Sequence, residues 1–318
     1  MGSKIAIGID IGGTSIKGGA ITEEGKVLDI FSLPVNKENN QEEVINDLIK
    51  AINCFIKDHN YNEKDLLGIG LGVPGSIDAK NGVVTYSNNL NWHELPLGKL
   101  ISEGTGLPVR MTNDANAATL GEAKFGSGKK YRNLIMLTLG TGVGGGIIID
   151  GKLYEGNMGK GAELGHAIIA MDGEECSCGE KGCLEAYASA SALIRDTKKM
   201  MEEHKDSKLW DAANKISKVD ARVAFMAEKE GDIYGHILVE NYVKYLCIGL
   251  ISFFNIFRPE AVVLSGGVAN EGEYLLEKIR RVCKEHHYGF RGTPEVEILT
   301  AELGYDSGKI GAAALFFK

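Results

Sequence analysis

The chain lacks an excess of positive charge, an apolar run long enough to cross a bilayer, a proline- or serine-rich linker, and any C-x-x-C pair. Each absence removes a class of function. Lysine and arginine number 35 against 43 aspartates and glutamates, for a formal net charge of −8. No basic face is therefore available to gather nucleic-acid phosphates. The longest apolar stretch, residues 245–257, carries Ser252 and Asn255 and falls short of the roughly 20 residues a spanning helix needs. It is expected as a core or interface helix. An apolar strand begins already at Ile5, which leaves no room for a signal peptide and makes the cytoplasm the expected location. Without a C-x-x-C pair a dithiol redox role is disfavoured. The Walker pattern G-x-x-x-x-G-K-[ST] is also missing, so any phosphate chain must be held by another device.

What the chain does have is length, glycine and internal repetition. Its 318 residues, 44% hydrophobic, suffice for two lobes sharing a cleft. Its 42 glycines cluster between apolar runs, the pattern of tight turns and close backbone approaches to a ligand. Residues 5–11 form an apolar run that breaks into Gly12-Gly13-Thr14, returns as residues 16–21 and closes on an acidic-Gly-Lys turn. The same sequence of events recurs at residues 134–153, through Gly140-Thr141-Gly142. We read an internal duplication, two related halves each bringing a glycine-threonine turn. Residues 41–59 place apolar side chains at helical spacing, as do residues 185–203, 221–230, 233–257 and 273–286, with Asp220 expected as the cap of the third. Strands at 67–71, 109–112, 261–264 and 296–299 alternate with these helices, and a small-residue helix closes the chain at 308–317. The expected class is α/β with mixed sheets.

Three constellations carry chemistry. In the Asp10-x-Gly12-Gly13-Thr14 turn, glycines let backbone amides approach phosphate oxygens, Thr14 and Lys17 add donors, and Asp10 can hold a phosphate-bound Mg²⁺ through water. One such turn is equally well a structural hairpin bulge. Two, with Thr141 and Gly142 in the second, can clasp one phosphate chain. His166 followed by Cys176, Cys178 and Cys183 offers one imidazole and three thiolates, a tetrahedral set suited to structural Zn²⁺. The bland account of that cluster is a set of reduced buried thiols. Asn113-Asp114 before an Ala-rich helix reads first as a helix cap. Its functional reading rests on polar neighbours that folding does not require: Asn88-Asn89, Glu163, His166 and Glu185. Phosphoryl transfer to an alcohol needs a carboxylate to accept the hydroxyl proton, and a sugar needs several carboxylates and amides.

Over essentially its whole length the sequence resembles the ROK sugar kinases, a family of repressors, open reading frames and kinases. The resemblance lies in Asp10-Ile-Gly-Gly-Thr14, Asn113-Asp114-Ala-Asn-Ala, Leu139-Gly-Thr-Gly142, Glu163-Leu-Gly-His166, the cysteine cluster ending in Cys183-Leu-Glu185, and Leu264-Ser-Gly-Gly267. It implies an actin/hexokinase-like (ribonuclease H-like) duplicated fold, with a small lobe of residues 1–115 plus about 301–318 and a large lobe of 116–300. It further implies ATP-dependent phosphorylation of a hexose at its 6-hydroxyl, glucose on the look of the Asn89-Leu90-Asn91-Trp92 segment and Glu185. Mannose, fructose, allose and N-acetylated hexosamines are the other sugars to weigh. By the same resemblance Asp114 is the general base, and Gly75, Asn89, Asn113, Glu163, His166 and Glu185 contact the sugar. His166 then works twice, with one ring nitrogen on zinc and the other toward the sugar. Adenine falls near Gly266 and Gly267, and a homodimer is implied. A reading of another class is a non-catalytic sugar-sensing regulator. Repressors of the family carry a helix-turn-helix domain ahead of this body, for which the residues before Ile5 are too few.

Overall fold

The computed structural model describes residues 4–35, 40–62, 64–286 and 292–317. Its strands are β1 (Ile5–Ile11), β2 (Ser15–Thr22), β3 (Val27–Pro34), β4 (Leu66–Val73), β5 (Ser76–Asp78), β6 (Val83–Ser87), β7 (Trp92–Leu95), β8 (Val109–Asn113), β9 (Leu134–Leu139), β10 (Val143–Ile149), β11 (Lys152–Tyr154), β12 (Ala261–Ser265) and β13 (Glu297–Thr300). Its helices are α1 (Gln41–Asp58), α2 (Leu97–Thr105), α3 (Asp114–Phe125), α4 (Glu185–Ala188), α5 (Ala190–Glu203), α6 (Leu209–Ala213), α7 (Arg222–Lys229), α8 (Ile233–Phe257), α9 (Glu273–Glu285) and α10 (Ser307–Ala314). Two compact units result, one of residues 1–132, 146–162 and 301–318, the other of 133–145 and 163–300. The boundary passes through β10.

The duplication read from the sequence is a topological fact. The first five-stranded sheet runs β3-β2-β1-β4-β8 and the second β11-β10-β9-β12-β13. In each, the order is third, second, first, fourth, fifth. In the first sheet β1 pairs antiparallel with β2 and parallel with β4, and β4 is parallel to β8. In the second, β12 lies parallel to both β9 and β13. A separate three-stranded sheet, β5-β6-β7, was not foreseen from the sequence, nor were β3 and α2. Short strands with mixed polarity give little periodicity to read.

The core of the first unit gathers Ile7, Ile9 and Ile11 of β1, Ile69 and Leu71 of β4, and Leu48 and Ile52 of α1. Helix α1 buries Val44, Ile45, Leu48, Ile52 and Phe55, and begins with a reciprocal cap in which Asn40 Oδ1 accepts from Glu43 N and Glu43 Oε2 from Asn40 N. Its buried face is the one the 3.6-residue period marks.

The expected helix over 185–203 is broken. Ser189 leaves the helical region at φ −84°, ψ 162°, and its Oγ accepts from Ala192 N at 3.1 Å. A second helix therefore starts at Ala190, because the hydroxyl offers the backbone an alternative to continuing α4. Asp220 also departs from expectation: Ala221 is the residue flanking α7, while the Asp220 carboxylate accepts from Arg222 N at 2.9 Å. The apolar stretch at 245–257 extends upstream into the 25-residue α8, which is long and apolar enough by composition to cross a membrane. It serves as a core helix instead. Leu238, Val239, Tyr242, Val243, Leu246, Cys247, Leu250, Phe253 and Phe254 are buried on it, against α7 and α9.

Candidate active site

In the first unit the geometry starts at the end of β1. Asp10 stands opposite Lys17 across the hairpin and opposite Gly72 in the parallel register. A Cβ at Gly72 would meet Ala117 Cβ at 3.1 Å, so the absence of a side chain there lets the first turn of α3 settle on β4. A Cβ at Gly308 would lie 2.8 Å from Asp10 Cγ; the carboxylate of Asp10 thus packs directly on the first turn of α10. Burial, then the charge of Asp114, raises the Asp10 carboxyl from 3.8 to about 6, with Lys17 and Lys309 acting in the opposite sense. Gly12 N donates to Ser15 O at 3.0 Å to close the turn, and Thr14 and Lys17 are exposed on it.

Asn113, not Asp114, caps α3. Its Oδ1 accepts from Ala115 N at 2.9 Å and from Asn116 N at 3.3 Å, while its Nδ2 donates to Gly75 O at 3.0 Å. Asp114 is the first helical residue, with one oxygen 2.9 Å from Ala115 N. Burial raises its proton affinity; amide donation from Ala115 and from its own N–H, and the Asn113 side chain, offset only part of this. Gly75 sits at φ +108°, and a Cβ there would meet Tyr86 O at 2.2 Å, so no other residue fits this turn. Asn89 lies against the first glycine-threonine turn, its Cβ 3.7 Å from where Gly13 would carry one. Its neighbour Asn88 is engaged elsewhere, accepting from Tyr86 Oη at 3.1 Å.

In the second unit the second turn is closed by Gly140 N donating to Gly142 O at 3.0 Å, and Gly140 O accepts from Ala190 N, the first residue of α5, at 2.8 Å. Gly266, at φ +89°, packs against Leu139 so closely that a Cβ would fall 2.5 Å from the Leu139 carbonyl. Gly266 and Gly267 are thereby brought beside the turn of Thr141 and Gly142. Glu185 belongs here too. Its Oε2 accepts from Val143 N at 2.9 Å and its Oε1 from Ser177 Oγ at 2.6 Å. Sequence reading placed Glu185 among the sugar contacts; its bonds to the turn and to the cysteine loop were not legible, since the partner Ser177 gives no signal of its own.

His166 and Glu163 share one turn of 3₁₀ helix, with His166 N donating to Glu163 O at 3.0 Å. The ligand atoms of His166, Cys176, Cys178 and Cys183 lie within 4.8 Å of one another. Cys176 Sγ is 3.7 Å from His166 Nδ1, and Cys178 Sγ is 3.8 Å from Cys183 Sγ. Ligands about 2.3 Å from a tetrahedral ion stand about 3.8 Å apart, so these spacings fit a metal ion at the centre. Gly179 and Gly182, at φ +94° and +82°, make the reversals that fold the loop. The amide of Glu180 holds the Cys178 thiol below its ordinary range, whereas burial pushes Cys176 up to about 12 and raises Cys183. A bound cation would favour the thiolate at all three. A second acidic group, Glu228, His236 and Glu240, has a resident cation already: Lys278 Nζ lies 2.9 Å from Glu228 Oε1 and 2.8 Å from Glu240 Oε1.

Sequence reading missed two buried charged residues of the first unit. Glu122 of α3 is fully buried and accepts from Ser127 N, Glu302 N and Leu303 N at 3.0, 3.1 and 2.7 Å. Lys309 lies 5% exposed in α10. A lone lysine in the small-residue run Gly308–Ala314 was the available signal.

Paired sheets of one strand order, each offering a glycine-threonine turn, define the actin/hexokinase-like fold of sugar kinases. Within it, the chain belongs to the ROK family, which matches residues 6–318. It is 37% identical to a glucokinase of Thermotoga maritima, over 97% of this chain and 96% of that one, and 35% identical to a glucokinase of Halalkalibacterium halodurans, over 99% and 96%. A ROK glucokinase of Streptomyces griseus, solved with glucose and AMPPNP, superimposes with a TM-score of 0.81 at 34% identity, covering 98% of both chains. A xylose repressor of Bacillus subtilis is 33% identical over 98% of this chain, which spans 76% of the repressor.

Proposed function

We propose that the protein is an ATP-dependent hexose kinase that phosphorylates the 6-hydroxyl of glucose, with Asp114 as general base. The observation that carries this reading is the state of Asp114. A capping duty would have explained the residue away, but Asn113 performs it, and Asp114 is left as a half-buried carboxylate of raised proton affinity. Such a group suits proton acceptance from an alcohol. Family membership and the glucokinase relatives support the same reaction.

In this reading Gly75, Asn89, Asn113, Glu163, His166 and Glu185 are the residues assigned to the sugar hydroxyls. Gly12 shapes the first turn, its own amide closing on Ser15 O, while the amides of Gly13, Thr14, Thr141 and Gly142, with the Lys17 ammonium, would bind the phosphates of ATP; Asp10 would hold the accompanying Mg²⁺ through water, and Gly266 and Gly267 would adjoin the adenine. As the 6-oxygen bonds to the terminal phosphorus, its proton passes to Asp114, the bond to the bridging oxygen breaks, and ADP departs. The metal at His166, Cys176, Cys178 and Cys183 is assigned as structural Zn²⁺, an anchor that fixes the imidazole ring. His166 Nδ1 faces the sulfurs, which leaves Nε2 to the sugar. The enzyme is placed in the cytoplasm as a homodimer.

A coupled assay over glucose, mannose, fructose and the two common N-acetylhexosamines tests the substrate. Asp114→Asn is expected to lower turnover by roughly 10²–10⁴ with glucose affinity by calorimetry retained; undiminished turnover would remove Asp114 from its role. The regulator reading, favoured by the repressor relatives, requires sugar-dependent DNA binding without turnover.

A further inference from the structure

Lys309 is a buried charged residue near Asp10 that the proposed mechanism does not use. Helix α10 places Gly308 against the Asp10 carboxylate, and Lys309 follows it directly with its side chain 6% exposed. Its ammonium is paired with Asp306, whose side chain is half exposed, and its backbone carbonyl packs on Gly8 of β1. The charged groups around this spot come from four elements: Asp10 of β1, Lys17 of β2, Asp114 of α3, and Asp306 with Lys309 at the start of α10. Lys17 is exposed and rides 5.5 Å over the ring of Tyr305. Both ammonium groups act on Asp10, Lys17 from the solvent-exposed side and Lys309 from within the protein, where a charge is less screened.

A buried ammonium is costly, and a helix of small apolar residues would pack as well with an apolar side chain here. Asp306, being half exposed, does not need a buried partner. We infer that Lys309 is a positioning residue of the phosphate site, a fixed positive charge that offsets the Asp10 carboxylate so that the nucleotide's phosphates can approach it. Without it, a tetra-anionic ligand meets the Asp10 carboxylate with Lys17 as the remaining offsetting charge.

This rests on the placement of the phosphates at the Asp10–Thr14 turn proposed above, and the experiment separates the two. Lys309→Met keeps the apolar stem and removes the charge. It is expected to raise KM for ATP roughly tenfold, with KM for glucose changed less than about twofold and kcat affected less than KM for ATP. Asp306→Asn removes the ion pair but keeps the cation, and is expected to leave KM for ATP unchanged or lower it. An unchanged KM for ATP in Lys309→Met overturns the inference. So does a rise in Asp306→Asn equal to that in Lys309→Met, since Lys309 would then only brace the start of α10. Should the methionine variant not fold, Lys309→Gln carries the same comparison. Asp10→Ala reports on the placement beneath: intact ATP kinetics there refute that placement and this inference together, while damage in Asp10→Ala with an unaffected Lys309→Met refutes the inference alone.

Discussion

Replacing Asp10 by asparagine should make the protein more stable at neutral pH while crippling it as an enzyme. The Asp10 carboxyl is displaced from 3.8 to about 6, by burial first and by the charge of Asp114 second. In a raised acid it is the ionised form that the folded state disfavours. Its contribution to stability is fully present below pH 3.8 and is lost as pH rises through about 6. A displacement of this size corresponds to about 3 kcal/mol, as an upper bound. Asparagine never ionises, so Asp10→Asn should be about 1–2 kcal/mol more stable than the parent at pH 8, allowing for relaxation and water access. The difference should vanish near pH 4. Urea unfolding of both proteins in nucleotide-free buffer, across that range, measures the gap directly, and any loss of metal at low pH cancels between them. A gap independent of pH, or a variant less stable at pH 8, would refute the electrostatic account of Asp10. Turnover should fall regardless, because a neutral amide holds Mg²⁺ poorly.

The remaining expectations are narrower. Cys178→Ser should lose bound zinc by elemental analysis and raise KM for glucose severalfold, with the fold retained by circular dichroism; stoichiometric zinc in the variant would show that Cys178 is no ligand. Gly75→Ala forces a side chain to φ +108° and to 2.2 Å from Tyr86 O, and should cost about 2–4 kcal/mol in unfolding free energy, a loss absent if the turn adapts. Glu122→Ala strands the amides of Ser127, Glu302 and Leu303 and should lower unfolding free energy by about 3 kcal/mol, whereas Glu122→Gln keeps an acceptor and should cost less.

Much of the fold was legible because its signals are local and periodic. The repeated apolar run, glycine-threonine turn and returning strand mark the duplication in the sequence itself, and the two sheets share their strand order. Helix α8 ran over the residues its pattern marks. What escaped depends on partners distant in sequence. Ser189 ends one helix and starts another through its hydroxyl, a choice that composition cannot distinguish from an uninterrupted helix. At the site, Asn113 and Asp114 were both legible as a pair of roles, cap and base. Which of the two caps the helix is shown by the amides of Ala115 and Asn116, which donate to Asn113 Oδ1. Glu122 and Lys309 were missed because a charge inside a helix reads as a solvated face unless burial is known.

Glu185 shows why the metal loop and the second turn must be treated as one body. Its carboxylate receives Val143 N on one oxygen and Ser177 Oγ on the other, and a Cβ at Gly142 would collide with it at 2.2 Å. Ser177 lies between two cysteines of the cluster, so anything that loosens the loop releases one side of this carboxylate. Gly140 O is tied to Ala190 N of α5, which fixes the other flank of the same turn. Removal of the metal with a chelator should therefore raise KM for ATP as well as KM for glucose, since the turn loses the brace beneath Val143. Glu185→Gln should uncouple the two: an amide can still accept from Val143 N or from Ser177 Oγ, but with weaker bonds than a carboxylate. If chelation raised KM for glucose alone while zinc was shown to be gone, the carboxylate bridge would carry no mechanical coupling, and the metal would serve the imidazole of His166 and nothing further.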